Sequence, residues 1–241
     1  MIQTVPALTE ESIHIWTIPL AETKKHISEW LEVLSPDERY RAGRLRTPKD
    51  RARFVTSRGT LRSILGAYLE IETSAVEFSY GPWGKPCLAS TETRLLHFNF
   101  SHSENFALCG LTRNSPIGVD IEKTREAEAG HHSQLARRFF SKMEYQAIEA
   151  APAKEKTLFF FTCWTRKEAY LKRHGLGLHL PLSRFSVNAD PRTPAKLLAS
   201  PWCSEDISLT QLQDLAAPPG YLAATAIASP ELTDVQSFQW N

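Results

Sequence analysis

The 241-residue sequence predicts an α+β fold, a pseudo-two-fold monomer of two similar halves with antiparallel strands packed against helices. Three observations carry that prediction. An alternating strand pattern, "IHIWTIPL" (13–20), returns as "IGVDIEKT" (117–124). A capping-box signature, a Ser three residues before a Glu, occurs in "LSPDERY" (34–40) and again in "FSKMEYQ" (140–146). A basic helical run ending near glycine, "FVTSRGTLRSILGAYL" (54–69), has its counterpart in "FTCWTRKEAYLKRHGLGL" (161–178). The offsets, 104 to about 107 residues, agree across all three pairs.

The remaining elements extend the repeat. Strand candidates follow both helices, "AVEFSYGPW" and "SRFSVNAD". Each half then closes with an antiparallel pair, "LHFNFSHS" with "FALCGLT" and "DISLTQL" with "YLAATAIA". The halves are expected at 1–113 and 114–241, with a tail from about 229, "SPELTDVQSFQWN", that has no evident role. No Gly/Ser linker separates them, which favours tightly packed halves with a ligand cleft between.

Composition narrows the classes of function. Hydrophobic residues at 42% supply a sizeable core, and a net charge of +1 leaves any anion affinity to local clusters. Four widely spaced cysteines without C-x-x-C argue against a zinc knuckle or disulfide framework and suit buried thiols in a cytoplasmic protein. Neither a basic signal-peptide start nor an apolar run of membrane-spanning length is present. The arginines and lysines between 39 and 62 belong to a chain of near-neutral net charge and not to a net basic domain, so nucleic acid is not expected as a partner, and without an apolar run of spanning length neither is a membrane.

The chemistry concentrates in two stretches. In "IGVDIEK", alternation sends Asp120 and Glu122 to one strand face and Ile117, Val119 and Ile121 to the other. Like charges so placed repel unless compensated, by a hard divalent cation or by neighbouring basic groups. In "WTRKEAYLK" (164–172), Trp164, Lys167, Glu168, Leu171 and Lys172 share an arc of roughly 140° on a helical wheel. A helix lining a partly buried cleft explains Trp164 and Leu171 beside Glu168. That placement brings a third carboxylate to Asp120 and Glu122, with Lys172 one turn beyond and Lys167 serving the same anion or a neighbouring carboxylate. Three carboxylates with flanking lysines suit a magnesium-bound pyrophosphate. "GPWGKP" (81–86) is a turn with Lys85 at its tip, and "NFSHSE" puts Ser101 and His102 at a strand end with no nucleophilic triad around them. A different Mg²⁺-dependent transferase acting on a nucleotide diphosphate, or a catalytically silent carrier-binding protein, stays open on these residues alone.

The ordered set "WGKPCL" (83–88), "FNFSHSE" (98–104), "IGVDIEK" (117–123), "FFSKMEY" (139–145), "WTRKEAYLK" and "GLGLHLPLSRFSV" (175–187) resembles the Sfp-type 4′-phosphopantetheinyl transferases from about residue 13 to 228. The resemblance implies the two-half fold of that family. It also implies transfer of the phosphopantetheine arm of coenzyme A to a serine of an apo acyl or peptidyl carrier protein, with release of adenosine 3′,5′-bisphosphate. Asp120, Glu122 and Glu168 resemble its Mg²⁺ ligands, with Mn²⁺ as a substitute, and Glu168 also resembles the base. Lys172 resembles the pyrophosphate and leaving-group lysine. Lys85 and Pro86 resemble the adenine-side contact. Ser101, His102, Arg41, Arg53 and Asp120 complete the expected coenzyme A contacts. Glu38 stands where the family often has a basic residue, leaving Arg39 and Arg41 as its substitutes. The segment 124–145 is the expected carrier-binding region, with "TREAEAGHHSQLA" a loop that orders on binding.

Overall fold

The computed structural model describes residues 5–20, 27–89, 95–126, 130–175, 177–229 and 234–240. Parts of the stretches expected at 124–136, 175–187 and 229–241 lie outside the described residues.

The element order is written twice. Strand β1 (Ser12–Pro19) is followed by α1 (Ile27–Val33), α2 (Pro36–Gly43), α3 (Pro48–Leu69), β2 (Phe78–Tyr80), β3 (Pro86–Leu88), β4 (Leu96–Ser103) and β5 (Phe106–Arg113). Then β6 (Ile117–Lys123) opens α4 (His131–Phe139), α5 (Lys142–Ala150), α6 (Lys156–His174), β7 (Ser186–Val187), β8 (Leu197–Ala199), α7 (Ser204–Leu209), β9 (Gln211–Leu215) and β10 (Tyr221–Ile227). A last strand, β11 (Asp234–Gln239), ends the chain. The main sheets repeat as well: β1-β5-β4 in one and β6-β10-β9 in the other, with β11 added beside β1.

Both predicted capping boxes form. Ser35 and Glu38 close the start of α2, and Ser141 and Glu144 close the start of α5, each Glu accepting the N-cap backbone N–H. Two departures from the sequence reading have clear causes. "DISLTQL" is not one strand: Ser204–Leu209 turns as α7, because Asp206 is held by Tyr170, Arg173 and Ser200, and only Gln211–Leu215 pairs with β10. The tail has a role after all. β11 pairs in parallel with β1, and Phe238 and Trp240 pack on Trp16, so burial of two aromatic rings holds it there. Within the expected carrier-binding loop, residues from His131 are helical.

Four apolar clusters lie among the described residues, the smallest formed by Leu34, Ala42 and Val55. One packs Trp16, Ile18, Leu61, Ile64 and Phe98 under α3; another packs Phe140, Phe160, Tyr170 and Phe185 around α6. Between the two sheets lie Ile13, Ile15, Leu108, Ile117, Val119 and Ile121, as the alternation of β6 predicts. Helix α6 is enclosed on nearly every side. Arg166 is fully buried and bonds Asp214 and the carbonyls of Asn188, Asp190 and Thr193, while Lys167 is fully buried on Glu144. No helix among the described residues is long and apolar enough to cross a membrane. All four cysteines are free; Cys109 and Cys163 are buried as expected, whereas Cys87 and Cys203 are exposed.

The Lys167–Glu144 pair makes a sharp prediction. Its ammonium donates to both carboxylate oxygens at 2.6 and 2.8 Å and to the Phe185 carbonyl at 2.7 Å. Glu144→Ala strands that charge in the core and should cost about 3–5 kcal/mol of stability, read as a lowered thermal midpoint. Replacing both residues with Met should recover part of the loss. A Glu144→Ala protein as stable as its parent would contradict this assignment.

Candidate active site

The site is assembled on β6 and α6. Gly118, Asp120 and Glu122 occupy the face of β6 turned toward α6. At Gly118 the backbones touch: a Cβ there would lie 2.0 Å from the Ala169 carbonyl oxygen and 2.3 Å from the Arg173 nitrogen. No side chain fits, so glycine sets the closest approach of strand and helix. The next two positions on that face, Asp120 and Glu122, then look along α6 at Glu168 and Lys172.

Strand β4 steadies the acidic pair from the other side. Its inward residues Asn99, Ser101 and Ser103 reach β6 in rising register. Asn99 Oδ1 accepts the Val119 N–H at 2.8 Å, Ser101 Oγ donates to Asp120 at 2.9 Å, and Ser103 Oγ donates to Glu122 at 2.8 Å while accepting the Lys123 N–H at 3.1 Å. Side chains thus join the two sheets where no backbone ladder does. Asn99 and Ser103 were not singled out from the sequence, although the period-two spacing with Ser101 in "NFSHS" carries the signal.

Lys172 donates to Asp120 Oδ1 at 2.5 Å and to Ser101 Oγ at 2.8 Å. The other Asp120 oxygen, Oδ2, is buried and has no hydrogen-bond partner among the described residues. Burial and the Asp120 charge, opposed by Lys172 and reinforced by Glu122, push the Glu168 carboxyl up to about 7. Burial and Asp120 raise Glu122 as well, against the Ser103 hydrogen bond. The three carboxylates therefore feel one another. They are not gathered into a closed shell: among the described residues no group of three or more His, Cys, Asp or Glu is arranged to hold a metal ion. Ser101 holds Asp120 and Ser103 holds Glu122 toward β4, while Lys172 engages Asp120 from α6. Hard oxygen donors, mutual repulsion and an orphaned buried oxygen nevertheless fit a divalent cation.

The other expected contacts separate into open and engaged groups. Arg41 is exposed, its guanidinium 5.5 Å from the Tyr80 ring centroid. Arg53 bonds Glu104 and Asn105, bracing the β4–β5 turn. Alternation puts His102 on the face opposite Ser101; it is exposed, yet the surrounding protein and the Lys172 and Arg53 charges lower its pKa. Arg39 caps α1 through the Leu34 carbonyl at 2.7 Å. Glu38 is buried on Arg58 and Arg62, which explains an acid at that position: it completes a capping box and bridges two arginines. Lys85 turns inward to backbone carbonyls, while Pro86 and the Lys85 stem line a cavity of about 620 Å³ with Ser79, Trp83, His97 and His174. A second hollow of about 380 Å³, with Phe160, Phe161, Trp164 and His132 in its wall, opens beside Glu122.

A family model described as the 4′-phosphopantetheinyl transferase superfamily matches residues 116–226, and one for the N-terminal part of 4′-phosphopantetheinyl transferases matches 20–112. The chain is 39% identical over 223 residues to the 4′-phosphopantetheinyl transferase HetI of Nostoc sp., covering 92% of this chain and 90% of that protein. The chain belongs to the 4′-phosphopantetheinyl transferase superfamily. The transferase Sfp of Bacillus subtilis is 30% identical over 218 residues, covering 90% of this chain and 91% of that protein, which bears out the Sfp-type resemblance. Among these transferases the chain keeps both family regions, one on each side of the β5–β6 connection.

The raised Glu168 carboxyl has a measurable consequence. Between pH 4.5 and about 7 the native chain holds a proton that an unfolded Glu has released, so stability falls as pH rises through that window. Glu168→Gln removes this cost. In chelator at pH 8 the variant should exceed its parent by on the order of 1 kcal/mol, allowing for solvent screening, and match it near pH 4. Thermal midpoints at both pH values measure the gap; a gap independent of pH would contradict the arrangement.

Proposed function

We propose that this transferase moves the 4′-phosphopantetheine arm of coenzyme A to a serine of an apo acyl or peptidyl carrier protein, dependent on Mg²⁺ or Mn²⁺, and releases adenosine 3′,5′-bisphosphate. The observation that carries the reading is the meeting of Asp120, Glu122, Glu168 and Lys172 between β6 and α6, in a chain whose relatives bear the transferase name. Asp120, Glu122 and Glu168 would hold the cation, which neutralises pyrophosphate charge when bound.

The residues divide the remaining work. Glu168, at the edge of this cluster, takes the serine proton. The serine oxygen forms its bond to the β-phosphorus as the bond to the leaving bisphosphate breaks. Lys172, 27% exposed at its side chain, is free to turn from Asp120 to the departing oxyanion. The cavity beside Pro86 suits the nucleotide end of coenzyme A, with exposed Arg41 and His102 left for its phosphates and Ser101 beside Lys172 at the acidic cluster. The aromatic hollow beside Glu122 suits the pantetheine arm. Phe139 and Met143 are exposed next to Arg137, Arg138 and Lys142, a surface for an acidic carrier within the segment 124–145. This reading has the chain act as a cytoplasmic monomer.

Mass spectrometry of apo carrier proteins incubated with coenzyme A tests it. One phosphopantetheine should be gained with Mg²⁺ and none in EDTA. Asp120→Ala and Glu168→Ala should remain folded and lose transfer by at least about a hundredfold. Mg²⁺ should raise the thermal midpoint of the parent and leave Asp120→Ala unmoved. An unmodified carrier of every type, or parental turnover by either variant in excess Mg²⁺, would overturn the proposal.

A further inference from the structure

Glu122 reaches the acidic cluster on a long side chain, and among the described residues one hydroxyl donates to its carboxylate. Ser103 Oγ accepts the Lys123 N–H at 3.1 Å, so its single hydrogen is left for Glu122 Oε2, 2.8 Å away. Asp120 is held differently, with Ser101 and Lys172 both on its Oδ1. The charges around Glu122 work against its position. Asp120, two residues back on the same strand face, repels it. The Arg125 guanidinium, on a side chain 62% exposed, attracts it toward solvent. Lys172 attracts it as well, but that ammonium is engaged by Asp120 and Ser101.

The donor is itself fixed. Ser103 is buried at the end of β4, paired with Phe106 across the β4–β5 turn. Within that turn Glu104 adopts φ +49°. Arg53 donates to Glu104 at 3.0 Å and to Asn105 at 2.6 Å, and Arg125 donates to Glu104 at 2.8 Å. The Asn105 N–H donates to the Tyr221 hydroxyl at 3.3 Å. Contacts from α3, from β10 and from the chain beyond β6 thus brace the turn that carries Ser103.

We propose that Ser103 is a positioning residue for the cation: by holding Glu122 Oε2 it keeps this carboxylate in the acidic cluster and sets the affinity of the site for Mg²⁺. The inference rests on the transferase reading above. Ser103 lines neither of the cavities assigned to coenzyme A, so its effect runs through Glu122.

Mn²⁺ serves as the probe, with the free ion counted by electron paramagnetic resonance in the presence of coenzyme A. Ser103→Ala should raise the Mn²⁺ dissociation constant about tenfold or more, since the hydrogen-bond partner of a metal-binding carboxylate is lost. The Mg²⁺ concentration for half-maximal transfer should rise by the same factor. KM for coenzyme A at saturating Mg²⁺ should stay within about twofold. In a Glu122→Ala background the same substitution should change Mn²⁺ binding by less than about twofold, because the group it positions is gone. Thermal midpoints in EDTA report the folded state; if Ser103→Ala does not fold, Ser103→Cys, close in volume and a weak donor, carries the same expectations. Parental Mn²⁺ affinity with a lowered thermal midpoint would overturn the inference by showing that Ser103 only ties the strands together. So would a full loss of affinity recurring in the Glu122→Ala background, or a KM for coenzyme A raised tenfold at saturating Mg²⁺. A parent that modifies no carrier, or needs no metal to do so, defeats the reading above and this inference together; an active, metal-dependent parent with Ser103→Ala at parental Mn²⁺ affinity defeats the inference alone.

Discussion

Strand β6 rests on α6 backbone to backbone at Gly118, and the rest of the site depends on that contact. Any larger residue would have to displace the Ala169 carbonyl and the Arg173 nitrogen, both fixed parts of a buried helix. Because strand side chains alternate, closing the gap at Gly118 delivers Asp120 and Glu122 to the helix surface two and four residues later. Helical periodicity does the same for Glu168 and Lys172 on α6. Two repeating geometries in register bring four ionisable groups together without a loop to place any of them.

The cost of that arrangement is carried by the surroundings. Three carboxylates in partly buried positions destabilise one another, as the raised Glu168 and Glu122 carboxyls record. Lys172 and the serines of β4 offset part of the repulsion, and one Asp120 oxygen is left unsatisfied. Such local strain persists because α6 is held elsewhere, by the buried Lys167–Glu144 pair and by Arg166 on Asp214 and three carbonyls. Strength away from the reacting groups and frustration among them are the division expected of a preorganised site.

Much of this was legible in the sequence, for definite reasons. The capping boxes were readable because Ser35–Glu38 and Ser141–Glu144 are local pairs. The acidic face of β6 was readable because period two leaves no choice of side. What escaped was non-local. Nothing local in "DISLTQL" shows that Asp206 will be claimed by Tyr170 and Arg173 across more than thirty residues. The tail's place beside β1 depends on Trp16 offering a ring face to Phe238 and Trp240. On the helical wheel Lys167 and Lys172 look equivalent, yet one is fully buried on Glu144 and the other is partly open at the site. Lys85 reads as a turn tip until the α6 terminus is seen beneath it.

Gly118→Ala tests the central claim most directly, since it adds one methyl group and changes no charged or polar side chain. Transfer to an apo carrier, normalised to folded protein, should fall at least about a hundredfold as β6 is pushed off α6. An alanine variant with parental turnover and thermal stability would contradict the account.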